Sequence, residues 1–157
     1  MVLLELLCKD NEDKVLAIDR DDIPEYFAES MAYTIQLSHY GTQHGMKGFC
    51  FAIKYFANYV GLILIGEAIE NKADPDEVKD RPYFRVIGFV IDRCYRDRGI
   101  GSQAFLLALE KIYHEYGTVP ILLECHRKNQ AAIRFYEKMG FTNTNKLHKD
   151  DYYMVKL

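Results

Sequence analysis

Residues 86–105 read VIGFVIDRCYRDRGIGSQAF, and this stretch limits the fold more tightly than any other in the chain. An apolar run (83–91) ends at Ile91, a polar loop occupies 92–98, and Gly99-Ile100-Gly101-Ser102 opens a helical pattern. A nearly continuous apolar run bounded in this way suits a strand buried on both faces of a sheet. The helix that follows has apolar residues at 105, 106, 109, 112, 113 and 116, all on one stripe, and Gly117 stops it. The first-turn N–H groups of such a helix point out of its start with no partner, so they suit an anion. The glycines let backbone pass close to a bulky ligand, and Arg96 and Arg98 add guanidinium groups beside it. A phosphate or pyrophosphate is the expected occupant. The competing reading is a tight strand–helix turn whose glycines serve backbone geometry alone.

A dinucleotide-binding fingerprint also deserves comparison, since Gly99-x-Gly101-x-x-Ala104 fits its spacing and Glu124 follows at the end of the next strand. In that motif the strand runs directly into the first glycine, whereas here 92–98 intervene. With 56 residues after Gly101, a complete doubly wound sheet is not expected. No Gly-Lys-Ser/Thr follows, which excludes a Walker-type loop.

The remaining segments predict an α/β chain with a mixed sheet. Residues 3–7 and 15–18 read as short strands around a charged turn. Asp21 and Asp22 before Ile23-Pro24-Glu25 predict a helix start, running to about Leu37, and Gly41, Gly45 and Gly48 then break the chain. Residues 49–55 and 59–69 predict a hairpin around a corner at 56–58. A charged loop covers 71–82, a strand 119–124, and a helix 129–139 capped by Asn129 and closed by Gly140. Residues 141–144 and 152–157 predict a last hairpin.

Composition narrows the partners. Lys and Arg total 20 against 23 Asp and Glu, a net charge of −3, so nucleic acid and anionic membrane are not expected partners. The length of 157 residues suits one domain spanning 1–157. Cys8, Cys50, Cys94 and Cys125 form no CxxC pair and no zinc spacing, so free thiols in a reducing compartment are expected, with no metal. The N-terminus lacks a basic n-region, and no apolar run is long enough to span a bilayer; the cytoplasm is the expected address.

Two motifs carry a resemblance. Arg96-x-x-Gly99-x-Gly101 is similar to the Q/R-x-x-G-x-G/A signature of the GNAT superfamily of N-acetyltransferases. Asn129-x-x-Ala132-x-x-Phe135-Tyr136-Glu137-Lys138-x-Gly140-Phe141 resembles its second motif, in the expected order and on the expected elements. The resemblance implies a sheet whose parallel central strands, 83–91 and 119–124, splay apart to admit acetyl-CoA. It implies that Phe89, Val90 and Ile91 offer backbone groups to pantetheine and the thioester. Arg96, Asp97, Arg98, Gly99, Ile100, Gly101 and Ser102 would wrap the pyrophosphate, and Asn129 would touch the amide arm. Tyr136 matches the family tyrosine that protonates the departing thiolate.

An attacking amine must lose a proton. The family does not fix this base; Glu124 is the first candidate, Glu67 and Glu70 follow, and Asp92 suits capping or ion pairing instead. No Cys or Ser sits in a recognisable nucleophile–base arrangement, so direct attack is expected, with Cys125 as the covalent alternative. FVIDRCYRDRGIG with a terminal MVKL resembles the diamine and polyamine branch, and the loop carboxylates Asp74, Asp76, Glu77 and Asp80 suit a cationic acceptor. The five histidines are assigned no chemistry. Dimerisation is common in the family. The competing class is an acyl-CoA-binding sensor or an inactive interaction module.

Overall fold

In the computed structural model, which describes residues 1–67 and 69–157, the first half of the chain runs β1 (Val2–Leu6), α1 (Lys9–Leu16), α2 (Met31–Gln43), β2 (Gly48–Tyr55), β3 (Asn58–Gly66) and α3 (Asp76–Lys79). The second half runs β4 (Phe84–Ile91), α4 (Ile100–Tyr116), β5 (Ile121–His126), α5 (Gln130–Lys138), β6 (Thr142–His148) and β7 (Asp151–Lys156). Among the described residues one sheet has the order β1-β2-β3-β4-β5-β7-β6, and only its β4/β5 pair is parallel. No helix among the described residues is long and apolar enough to cross a membrane.

The sheet has helices on both faces, and the period-two alternation of β3 serves each in turn. Leu62 and Leu64 pack with Val15, Met31 and Ile35 under α1 and α2. Ile63 and Ile65 pack with Phe105, Ala108 and Ile112 of α4 on the opposite face. Both faces of β3 are therefore covered, which is why it reads as an unbroken apolar run. Each such side chain contributes about 1.5–3 kcal/mol by leaving water. Gly88 of β4 admits α2 closely: a Cβ there would stand 2.9 Å from Thr34 Cγ2.

Five expectations need correction. Residues 15–18 are the last turn of α1 and its exit, not a strand. The buried Asn11 organises this helix: its Oδ1 accepts from Cys8 N at 2.8 Å, and its Nδ2 donates to Glu5 Oε1 at 2.9 Å and Leu6 O at 3.0 Å. Asp10 and Glu12 in the first turn and Lys14 in the last suit the helix dipole, a signal the charged composition masks.

The second helix starts at Met31 rather than near Ile23, because Ser30 is the cap and its Oγ accepts from Tyr33 N at 3.1 Å. Residues 20–29 instead fold around the Arg20 guanidinium, which donates to the carbonyls of Ile23 (3.2 Å), Ala28 (2.6 Å) and Glu29. Gly41 lies inside α2, and the reversal falls at Gly45, where φ is +66°. The strand expected over 59–69 ends at Gly66, and Ala68 lies outside the described residues. Within 71–82 a single turn, α3, is fixed by Val78, which is buried against Leu122, Tyr153 and Val155.

Candidate active site

The site opens where sheet pairing fails. The β4/β5 ladder consists of Phe84↔Ile121 and Arg85↔Leu122, and from Val86 onward the β5-facing edge of β4 has no strand beside it. On its other edge β4 stays paired to β3 from Arg85 to Ile91, interrupted by a bulge that leaves Ile87 unmatched between Val86 and Gly88. Bulges turn a strand locally, and this one lies where β4 leaves β5. Between the strands lies a cleft of about 540 Å³. Phe89, Val90 and Ile91 line it from β4, Glu124 and Cys125 from β5, and Asn129, Ala132, Phe135 and Tyr136 from α5 and its cap.

The start of α4 forms one end. Gly99 is its left-handed cap (φ +78°), and Asp97 is left-handed as well (φ +61°), the kind of backbone turn from which anion-binding concavities are built. Arg96, Asp97, Gly99, Gly101 and Ser102 line the cleft. Ile100 is buried in the core, and Arg98 lies over the Tyr95 ring at 5.3 Å, so neither presents its side chain there. At Gly101 an added Cβ would stand 3.5 Å from Ile91 Cγ1 and 3.7 Å from the Phe89 ring, so glycine leaves free space against the wall of the cleft.

The expected basic patch is largely neutralised inside the protein. Arg93 bonds Asp19 at 2.8 Å; Arg96 donates from Nε to Ile91 O at 2.9 Å and from Nη1 to Asp22 Oδ2 at 2.5 Å. The Arg96 hydrogen bond holds the Asp22 carboxyl below its usual range. Arg96 Nη2 is left without a partner among the described residues, so it remains a donor at this end of the cleft beside the backbone N–H groups of the helix start.

Tyr136 sits between Phe105, Phe135 and Phe141, with ring centroids 5.6, 5.2 and 5.8 Å away. Burial, and next the neighbouring Cys125, push its phenol well above the usual value. Burial also pushes the Cys125 thiol up to about 12, which keeps it neutral and weakens it as a nucleophile. Glu124 Oε1 is 3.1 Å from His148 Nδ1, and its Oε2 is 3.7 Å from Arg85 Nη1.

Other candidates lie apart from the cleft. Glu67 accepts from Lys47 N at 2.6 Å and lines a separate pocket under α2, and Glu70 is exposed beyond β3. Asp92 caps the turn after β4, accepting from Cys94 N and Asp19 N at 2.9 Å each. Asn129 caps α5 through Ala132 N at 3.4 Å while lining the cleft. Of the acidic loop, Asp74 is buried on Arg85 and Tyr83, Glu77 faces Lys146 at 3.2 Å, and Asp76 is 3.9 Å from Lys79. Asp22, Ile23, Phe27, Ala28 and Glu29 form a wall that the sequence reading missed, because a helix was expected there. His148, to which the sequence assigned no chemistry, is brought to Glu124 by the β6–β7 pairing.

Splayed parallel strands with a glycine-capped helix start at the cleft's end define a class of acyl-transferring α/β folds, and solved N-acetyltransferases share it. Spermidine N-acetyltransferase from Vibrio cholerae, solved with CoA and spermine, superposes with a TM-score of 0.73 at 16% identity, over 98% of this chain and 94% of that one. PaiA N-acetyltransferase from Thermoplasma acidophilum, in complex with coenzyme A, gives 0.70 at 16% identity over 99% and 98%. Residues 13–141 match the Acetyltransferase (GNAT) family, and the chain belongs to that family. N-alpha-acetyltransferase 30 of Dictyostelium discoideum is 33% identical over 94 residues, 60% of this chain and 49% of that protein, so the match spans about half the relative's length.

Proposed function

We propose that residues 1–157 form one N-acetyltransferase domain that moves an acetyl group from acetyl-CoA to a primary amine by direct attack. One observation carries this reading: the freed edge of β4 leads to the left-handed turn at Asp97 and Gly99 that opens α4, with Tyr136 and Glu124 lining the same cleft. The free edge offers main-chain pairing to an amide-bearing arm. That turn and the helix start suit a pyrophosphate. The space left by Gly101 and the buried, unpartnered Nη2 of Arg96 fit a bulky anionic group there.

Bound acetyl-CoA supplies an activated acetyl group. In this proposal Phe89, Val90 and Ile91 align it through main-chain groups, and Asp97, Gly99, Gly101 and Ser102 hold its phosphates. Glu124 carries an acceptor oxygen for the amine proton, directly or through water. The Tyr136 O–H would serve the leaving sulfur. With its phenol raised by burial, full proton transfer to a thiolate of lower pKa is uphill. Tyr136 therefore acts chiefly by hydrogen bonding to the developing charge.

For the acceptor we favour a polyamine or other small amine, because the carboxylates of Glu29 and Glu124 line the cleft. The 94-residue match to an N-alpha-acetyltransferase favours a second reading, a peptide N-terminus. A thiol-release screen with acetyl-CoA against polyamines, aminoglycosides, amino acids and peptides tests both. The expected result is turnover with polyamines. Turnover with peptides alone replaces that acceptor, and CoA binding without any turnover supports a sensor.

A further inference from the structure

On the acetyl-transfer reading above, we propose that Arg96 and Asp22 are a positioning pair that couples the wall loop, residues 20–29, to the cofactor-binding loop at the start of α4. Arg96 opens the motif R-x-x-G-x-G, where its guanidinium would pass for a phosphate ligand. Its Nε instead donates to Ile91 O at 2.9 Å, and its Nη1 donates to Asp22 Oδ2 at 2.5 Å. Nη2 is buried with no partner among the described residues, in a side chain that lines the cleft. One rigid planar group thus meets the end of β4, the wall loop and the cleft.

Neighbouring contacts reinforce the connection. Asp19 N donates to Asp92 Oδ2 at 2.9 Å, Arg93 N to Asp19 O at 2.8 Å, and Arg93 Nη2 to Asp19 Oδ2 at 2.8 Å. At its far end the wall loop rests on β5, with Tyr26 and Phe27 ring centroids 5.0 and 5.3 Å from His126. The loop therefore bridges the splay, from the exit of β4 to the end of β5. The ion pair itself is partly exposed, with side chains 38% and 26% accessible, so its static contribution to stability is small. Its consequence is geometric: displacement of the 92–99 segment by an incoming anion moves Asp22 and the wall that carries Ile23, Phe27 and Glu29.

Hydrogen–deuterium exchange of the amides in 20–29, with and without saturating CoA, tests the pair without any acceptor. In the unaltered protein, CoA should slow exchange there by about fivefold or more, the low end of usual site-to-site coupling. Asp22→Asn should abolish that protection, leave the calorimetric CoA affinity within about threefold, and raise the amine KM by about 5- to 50-fold. Arg96→Gln should abolish the protection too. Protection that persists in Asp22→Asn overturns the coupling. So does an Arg96→Gln variant that loses CoA affinity while Asp22→Asn is silent, the outcome for a plain phosphate ligand. CoA binding without loop protection in the unaltered protein overturns the pair alone, whereas no CoA binding at all overturns the cofactor reading and the pair with it.

Discussion

Tyr136 carries two roles in one side chain. Its ring packs into the Phe105, Phe135 and Phe141 cluster, and its residue lines the same cleft as Glu124. Phe fills the same ring volume, so Tyr136→Phe should keep its melting temperature while kcat falls by about 100- to 1000-fold, the scale of one lost hydrogen-bond donor to developing charge. Steady-state kinetics beside a thermal melt checks both halves; an unchanged kcat removes the assigned role. Burial keeps the phenol neutral, so its ionisation should produce no alkaline loss of kcat below its ordinary value of about 10. At this scale spacing made the Asn129 cap and the glycines around α4 legible, whereas the role of Tyr136 was implied by the family resemblance. Asp22, Glu29 and His148 were not legible, since loop folding and cross-strand pairing bring them to the cleft.

Among the elements, the 71–82 segment shows how charge composition misleads. Its acidity suggests an open surface, yet Asp74 is fully buried against Arg85, whose side chain is 12% exposed and also approaches Glu124. Burial pushes the Asp74 carboxyl up, but Tyr83 and Arg85 outweigh it and hold the group below its usual value. A folded-state value that is depressed stabilises the native chain fully above the unfolded value of about 3.9, and that stability is lost as pH falls further. Asp74→Ala leaves the buried Arg85 with only the more distant Glu124, so unfolding by urea should show a loss of up to about 3 kcal/mol at neutral pH, the low end for breaking a buried pair. The deficit should shrink below about pH 4; a pH-independent deficit contradicts the ionic origin. Helix α2 went astray for a related reason. Asp21-Asp22-Ile23-Pro24 has the chemistry of a helix start, but Arg20 captures the carbonyls that a first turn would use, and Ser30 takes over as cap.

At the scale of the whole molecule, the mixed sheet and the flanking helices were legible because β4, α4, β5 and α5 each carry an unmistakable period or cap. The resemblance, not the periodicity, implied the splay, and the physical cause lies in the structure: a ladder of two pairs followed by the bulge at Ile87. The function rests on what that opening admits. A single-turnover experiment with acetyl-CoA labelled in its acetyl group, excess enzyme and a mixture of amines, read by mass spectrometry of protein and amines, tests it most directly. The label should pass to an amine with no acetylated protein intermediate. Label retained on Cys125, or CoA bound with no label transferred to any amine, would contradict direct acetyl transfer in this cleft.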